Sequence, residues 1–466
     1  MNFISTRKGL SANAVETVFR GLAPDGGLYL PISKNGKLEI ENGQLRPRDC
    51  TTLEKAERFV TNALFADFPK EVREDAIARL LSRFPSEEPI PLVEKDSLHI
   101  LELFHGRTGA FKDVALSMLP VFMRHAANGK RVLILTATSG DTGSAAMQGF
   151  AGVEGTEIIV FYPATGTSRI QKLQMTTPSE KNVHAVGIRG NFDDAQAAVK
   201  RIFASAEMKA TADAAGVTLS SANSINTGRL VPQIAYYVLA GAKLGSEYDV
   251  VVPSGNFGNI LAAYYAKKLG SPIRKLVVAS NVNDVLARFV MTGVYEPGEK
   301  FTVTNSPSMD IRISSNVERL LWMLNESGDE VIRLMDDLKT KDRYELNANA
   351  KARLFEDFEG GVATPEETEA EMRRMREAAD YLVDPHTAVA TCVAKKLGYP
   401  KDGTPCVVAA TATPYKFPET CLKAFGEDVL VSPPESFRKL EELPVAQKDV
   451  VDIGEIDEYV RRFIAG

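Results

Sequence analysis

The sequence predicts an α/β protein built on a parallel, doubly wound sheet. Two observations carry that reading. Short continuous apolar runs occur at Val132-Leu133-Ile134-Leu135, Glu157-Ile158-Ile159-Val160, Val250-Val251-Val252 and Leu276-Val277-Val278. Between them lie Ala-rich helical stretches, Ser144-Ala145-Ala146-Met147 and Ile260-Leu261-Ala262-Ala263-Tyr264-Tyr265. A strand that reads as an unbroken apolar run is buried on both faces, which is the condition of parallel sheet covered by helices.

The other elements follow in chain order. The first ninety or so residues hold a turn region, Pro24-Asp25-Gly26-Gly27, and then Val72, Ile77, Leu80, Leu81 and Phe84 at helical spacing. Pro85, Pro89 and Pro91 interrupt that helix, so an N-terminal unit is expected to end near residue 90. Residues 295 to 375 are more polar and mostly helical. Within them Thr364-Pro365-Glu366-Glu367 has the form of a helix start: an N-cap hydroxyl, Pro at the first helical position, and Glu placed to return the capping bond. One more apolar strand, Val407-Val408-Ala409-Ala410, runs into Thr411-Ala412-Thr413-Pro414. No internal repeat or low-complexity segment is present.

Composition narrows the function classes. A length of 466 residues suggests about three domains and is ample for a deep site. The 44% hydrophobic and 25% charged fractions are those of a soluble globular chain. No apolar run approaches the roughly 18 residues of a membrane-spanning helix, so no membrane partner is expected. Lys plus Arg number 55 against 61 Asp plus Glu, a net charge of −6 without a basic block, which argues against nucleic acid. Cys50, Cys392, Cys406 and Cys421 lack metal-type spacing, and the opening residues lack a signal peptide's apolar core. A cytoplasmic protein without a metal site is the resulting expectation.

Three strand-to-helix junctions carry the chemistry. In Thr108-Gly109-Ala110-Phe111-Lys112-Asp113 a helix is expected to begin near Phe111, placing the Lys112 ammonium at the positive end of the helix dipole. That placement is unfavourable unless the lysine is neutral or joined to a carbonyl as a Schiff base; an ordinary exposed lysine on a first helical turn is the alternative. The second junction, Ser139-Gly140-Asp141-Thr142-Gly143, opens a helix with small residues whose backbone amides can approach a carboxylate or phosphate. The third, Ser254-Gly255-Asn256-Phe257-Gly258-Asn259, offers the same amides to a phosphate, with a helix expected from Ile260. Either loop alone is also compatible with a plain tight turn. Neither has the full Gly-x-Gly-x-x-Gly pattern or the Gly-Lys-Ser/Thr ending, which disfavours dinucleotides and P-loop nucleotides. A phosphate-bearing aldehyde satisfies Lys112 and one cradle together, and pyridoxal 5'-phosphate is that kind of cofactor.

These motifs together resemble the threonine synthases, within the tryptophan-synthase-β-like class of pyridoxal phosphate enzymes. Ile4-Ser5-Thr6-Arg7, Gly26-Gly27-Leu28-Tyr29, Ser308-Met309-Asp310-Ile311, Asp384-Pro385-His386-Thr387 and Thr411 through Phe417 extend the likeness over almost the whole chain. The opening segments are similar to the N-terminal domain of the longer bacterial and fungal branch.

The resemblance implies the fold-type II architecture: two parallel-sheet domains with an additional N-terminal domain. Expected boundaries are 1–90 for the N-terminal domain, 91–125 with 236–466 for a large cofactor-binding domain that includes a helical insertion at about 295–375, and 126–235 for a small substrate-binding domain. It further implies that Lys112 carries the cofactor and shuttles protons, that Ser254, Gly255, Asn256, Phe257, Gly258 and Asn259 hold the cofactor phosphate, and that Thr411 meets the pyridine nitrogen. Ser139, Gly140, Asp141, Thr142 and Gly143 are implied at the substrate carboxylate. Asn223, Ser224 and Arg229 are implied at the substrate's own phosphate, where a guanidinium offers a bidentate fork. The implied reaction is O-phosphohomoserine plus water giving L-threonine and phosphate, the last step of threonine biosynthesis, by a monomer or homodimer.

Two other function classes compete: a pyridoxal phosphate dehydratase or β-replacement enzyme acting on an unphosphorylated amino acid, and a silent binding protein on the same fold. Arg229 argues against the first and Lys112 with both cradles against the second. Asp113 is expected to cap its helix, His386 to be structural, and Trp322 to be core.

Overall fold

The computed structural model describes residues 2–32, 46–298 and 301–465; residues 33–45 of the expected N-terminal unit and 299–300 of the expected insertion lie outside the described residues. Two parallel sheets organise the chain. The larger has six strands in the order Phe358–Val362, Ile273–Ser280, Tyr248–Pro253, Cys406–Ala410, Leu98–Glu102, Leu92–Lys95, with only the last pair antiparallel. Val251 sits between Val277 on one neighbour and Val408 on the other, and all three side chains are fully buried. This is the burial on both faces that an unbroken valine run requires.

The second sheet is parallel throughout, in the order Val450–Asp452, Val183–Arg189, Thr156–Pro163, Arg131–Ala137, Val217–Ser220. Its first strand corrects the expectation that everything from 236 to 466 belongs with the larger sheet. The final helix, Ile456–Ala465, presents Ile456, Val460 and Ile464 on one face, and they are buried against Leu133, Leu135 and Val186 of the second sheet. Burying that apolar stripe draws the C-terminus across.

Residues 2–32 form a three-stranded antiparallel sheet and a helix, Ala14–Arg20, whose Asn13 and Glu16 make a reciprocal capping box. Helices Leu53–Leu64 and Lys70–Leu81 follow. This N-terminal part shares one core with the larger sheet: Phe65 and Phe68 pack on Phe122 with ring centroids 5.1 and 4.8 Å apart. It also braces a loop of the candidate site from behind. Thr17 Oγ1 lies 2.8 Å from Thr227 Oγ1, and Asn226 Nδ2 donates to the Val18 carbonyl at 2.9 Å.

The predicted capping box at Thr364 and Glu367 is present, starting the helix Pro365–Ala379. Trp322 is only half-buried at the edge of the core, not inside it, while Leu320, Leu321 and Leu324 on the same helix take the interior positions. Among the described residues no helix is long and apolar enough to cross a membrane.

Candidate active site

A cavity of about 930 Å³ opens where the carboxyl ends of strands from both sheets meet, the usual place for a ligand in open α/β sheets. Lys112, Ser139, Asp141, Thr142, Asn223, Ser224, Arg229, Ser254 through Asn259 and Thr411 all line it.

Lys112 is the first residue of the helix Lys112–Ala127, with Phe111 as its N-cap. The backbone there is fixed from two sides. Phe111 N–H donates to the Thr411 carbonyl at 2.9 Å, and Tyr236 Oη donates to the Phe111 carbonyl at 2.6 Å. The Lys112 amine reaches Asp141 Oδ2 at 3.2 Å. Burial lowers its proton affinity, Asp141 works the other way, and the cations of Lys416 and Arg229 lower it further. The net direction is down, as a lysine that must work in its neutral form requires. Asp113 does not cap the helix. Its carboxylate accepts from the Thr108 amide at 2.8 Å and the Thr108 hydroxyl at 2.6 Å, tying down the preceding loop.

The loop 254–259 leads into the helix Gly258–Lys268, which begins two residues before the expected Ile260. Its N-cap, Phe257, takes a left-handed backbone with φ of 62°, an uncommon state for a non-glycine residue and a sign of local constraint. The backbone amides of Gly255 through Asn259 donate to no protein acceptor among the described residues. Asn259 Nδ2 is likewise buried without a partner, while its Oδ1 accepts from Tyr237 Oη. Gly255 is required by space, since a Cβ there would fall on the Ser308 carbonyl oxygen. Clustered unsatisfied donors at a helix N-terminus form an anion site, and they fit a cofactor phosphate.

The loop 139–143 behaves differently, and part of the expectation for it must be corrected. Gly140 and Gly143 do not line the cavity. Their amides both donate to Thr138 Oγ1, at 2.9 Å each. Gly140 is packed on the Gln171 amide and Gly143 on Met175, Thr138 and Val160, so both are glycine for close approach. The Asp141 carboxylate receives Lys112, Gln171 Nε2 at 2.8 Å and Lys416 at 2.8 Å. Burial works against its charge, but the two lysines prevail and hold it well below the ordinary carboxylate range.

Arg229 lies in the short helix Thr227–Leu230 and is only 2% exposed. One guanidinium nitrogen donates to the Ala222 carbonyl at 2.6 Å, and Nε has no partner. Among the described residues no carboxylate pairs with it, and burial pushes its proton affinity down to about 10. A buried cation left without a counter-charge on a cavity wall is poised for an anionic ligand. Asn223 Nδ2 donates to the Ala137 carbonyl at 3.0 Å, and Ser224 Oγ accepts from Asn316 Nδ2 at 3.1 Å, which sets both side chains at the same wall.

Sequence reasoning missed several supporting residues. Thr138, Gln171 and Lys416 shape the 139–143 loop. His386, expected to be structural, is buried and hydrogen-bonded through Nδ1 to Asp384 at 2.8 Å, accepts the Ser308 amide at Nε2 and also lines the cavity. A hydroxyl beside a glycine loop and a lysine in a Pro-Tyr-Lys turn were the available signals, but neither reveals its partner.

The chain is similar to known proteins over its length. Residues 86–339 match the family described as pyridoxal-phosphate dependent enzyme, and residues 387–464 match the C-terminal region of threonine synthase. A threonine synthase of Saccharomyces cerevisiae is 36% identical over 92% of this chain and 90% of its own. One from Pseudomonas aeruginosa is 36% identical over 91% of this chain and 90% of its own. The crystal structure of a pyridoxal-phosphate-bound threonine synthase from Brucella melitensis matches with a TM-score of 0.90 at 35% identity, covering 100% of both chains.

Proposed function

The chain belongs to the threonine synthase family of pyridoxal-phosphate-dependent enzymes, and from that premise we propose that it converts O-phosphohomoserine and water to L-threonine and inorganic phosphate. The observation that carries the choice of substrate is Arg229, a guanidinium buried on the cavity wall with a free Nε and no acidic partner among the described residues. With the substrate carboxylate taken by the 139–143 loop in this reading, an unphosphorylated amino acid has no second anion to meet that charge.

Pyridoxal phosphate, when bound, supplies an electron sink that makes the substrate's carbon-bound protons removable. In this reading the free amides of 255–259 and Ser254 hold its phosphate, Lys112 attaches it, and Thr411 faces the ring nitrogen. A neutral hydroxyl at that position does not hold a proton on the ring as a carboxylate does. The Ser139 and Thr142 side of the second loop takes the substrate carboxylate, while Asn223, Ser224 and Arg229 take the phosphate. Lys112 takes protons from the substrate's α and β carbons and returns one at γ and, once water has given its hydroxyl to the β carbon and its proton to the departing phosphate, one at α, which calls for a lysine whose proton affinity lies near working pH. The downward direction at Lys112 supports that role. We place the protein in the cytoplasm, supported by four buried, unbridged cysteines.

The test is product analysis. Loaded enzyme given O-phosphohomoserine is expected to release phosphate and threonine in equal amounts. Deamination of serine or threonine with no phosphate release would move the assignment to a dehydratase.

A further inference from the structure

Lys416 is fully buried in the turn Pro414–Lys416, which follows the strand Cys406–Ala410 of the larger sheet. Its amine lies 2.8 Å from Asp141 Oδ1 and donates to the Thr108 carbonyl at 2.9 Å. Its own carbonyl accepts at 3.0 Å from Oγ of Ser168, the N-cap of the helix Arg169–Thr176 that follows a strand of the second sheet. A buried ammonium is an expensive way to fasten two loops, because an apolar side chain of similar volume fills the same space without desolvating a charge. The position of the charge therefore calls for a reason.

Asp141 supplies it. This one carboxylate stands between two lysines, Lys416 on Oδ1 and Lys112 on Oδ2. Alone with Lys112 it would form a buried one-to-one ion pair, clamping the amine as an ammonium unable to take a proton. With Lys416 in place, Asp141 already has its counter-charge.

We propose that Lys416 is a positioning residue for Lys112: by occupying Asp141 Oδ1 it makes the carboxylate half of a neutral pair and leaves Lys112 free to give and take its proton. The proposal rests on Lys112 being the proton-transferring residue. The charged groups facing Lys112 are Asp141 from the 139–143 loop, Lys416 from the C-terminal turn and Arg229 from the short helix. Asp113, the remaining acid near Lys416, is engaged by Thr108. Removing Lys416 takes away a cation and leaves Lys112 as the cation on Asp141, with Gln171 still donating to Oδ1, so both changes raise the proton affinity of Lys112. Removing Asp141 lowers it.

The test uses the cofactor-free full-length protein and the pH dependence of Lys112 reductive methylation by formaldehyde, read by peptide mass. Lys416→Met is expected to move the half-reactive pH of Lys112 up by about one unit, making it about tenfold less reactive at a pH below the midpoint. Lys416→Arg is expected to restore the wild-type midpoint, Asp141→Asn to lower it, and the double variant D141N/K416M to return near wild type. If Lys416→Met does not fold, the comparison of D141N with D141N/K416M carries the same test. An unmoved midpoint on removing Lys416 in both backgrounds overturns the proposal. In the loaded enzyme the acid limb of the turnover profile should move by the same amount. The methylation result stands whether or not phosphohomoserine is the substrate, so a failed substrate assignment and a failed positioning role are told apart.

Discussion

The loops 139–143 and 254–259 look alike in sequence, each a small-residue turn between a buried strand and an Ala-rich helix, yet they have opposite electrical character. At 255–259 the backbone amides donate to nothing among the described residues, and the nearby Asp310 carboxylate is engaged by Asn281, Asn283 and Thr304. At 139–143 a threonine hydroxyl takes two of the amides and a buried carboxylate faces two lysines. The first loop leaves its amides open to an anion, while the carboxylate of the second faces the amine of Lys112. A glycine-rich helix start thus predicts close approach, and the hydrogen bonds already made within the protein decide what approaches.

The largest expected effect tests the amine that the second loop serves. Lys112→Ala should lower turnover by on the order of 10³-fold or more and leave the cofactor bound only noncovalently, seen as loss of borohydride fixation. Near-normal turnover would remove this lysine from the mechanism. Next, giving the first loop the charge of the second should destroy its use. Gly255→Asp is expected to weaken cofactor binding by roughly a hundredfold through repulsion of the phosphate, while Gly255→Ala, which brings only the steric conflict with Ser308, should weaken it less. Equal affinities for the two variants would show that charge plays no part there.

A third prediction concerns stability. Asp141→Asn leaves buried Lys416 without its counter-charge, and breaking a buried pair from one side costs about 3–5 kcal/mol. Because the Asp141 carboxyl is held below its unfolded value, its contribution is fully present above about pH 4 and is lost as pH falls toward the folded value. The gap in unfolding midpoint between wild type and Asp141→Asn should therefore be widest near neutrality and narrow in acid. A gap that widens in acid would contradict the pairing.

Much of this was legible in the chain, for reasons that differ by residue. The valine run 250–252 pointed to a parallel strand because a short β-branched run between turns suits burial on both faces. The edge strand Phe358–Val362 was invisible, because its Gly360 and Gly361 carry no strand signal. They are glycine because Ala287 and Val290 pack close to Gly360 and Val393 to Gly361. The crossing of the C-terminal helix to the second sheet was hidden for another reason: an amphipathic stripe tells that a face will be buried, not against which sheet. In the site, Lys112 stood out as a charge at a helix start, whereas Arg229 was implied by the family resemblance and not by its local sequence. Asp141 was named for its loop position, but its role came from Lys416, which lies too far along the chain for any local pattern to join them.

The smallest effect bears most directly on the central claim, that the unpaired charge of Arg229 selects a phosphorylated substrate. The measurement is kcat/KM for phosphate release from O-phosphohomoserine by wild type, Arg229→Lys and Arg229→Ala, with the cofactor's absorbance as a control on the rest of the site. Losing a charge-assisted contact of this kind costs on the order of 1.5–3 kcal/mol, so Arg229→Ala should fall by roughly ten- to 150-fold with an unchanged cofactor spectrum. Arg229→Lys should recover part of the loss, keeping the charge without the bidentate fork. Three equal rates would contradict the assignment of the phosphate pocket, and with it the reason for preferring this substrate over an unphosphorylated one.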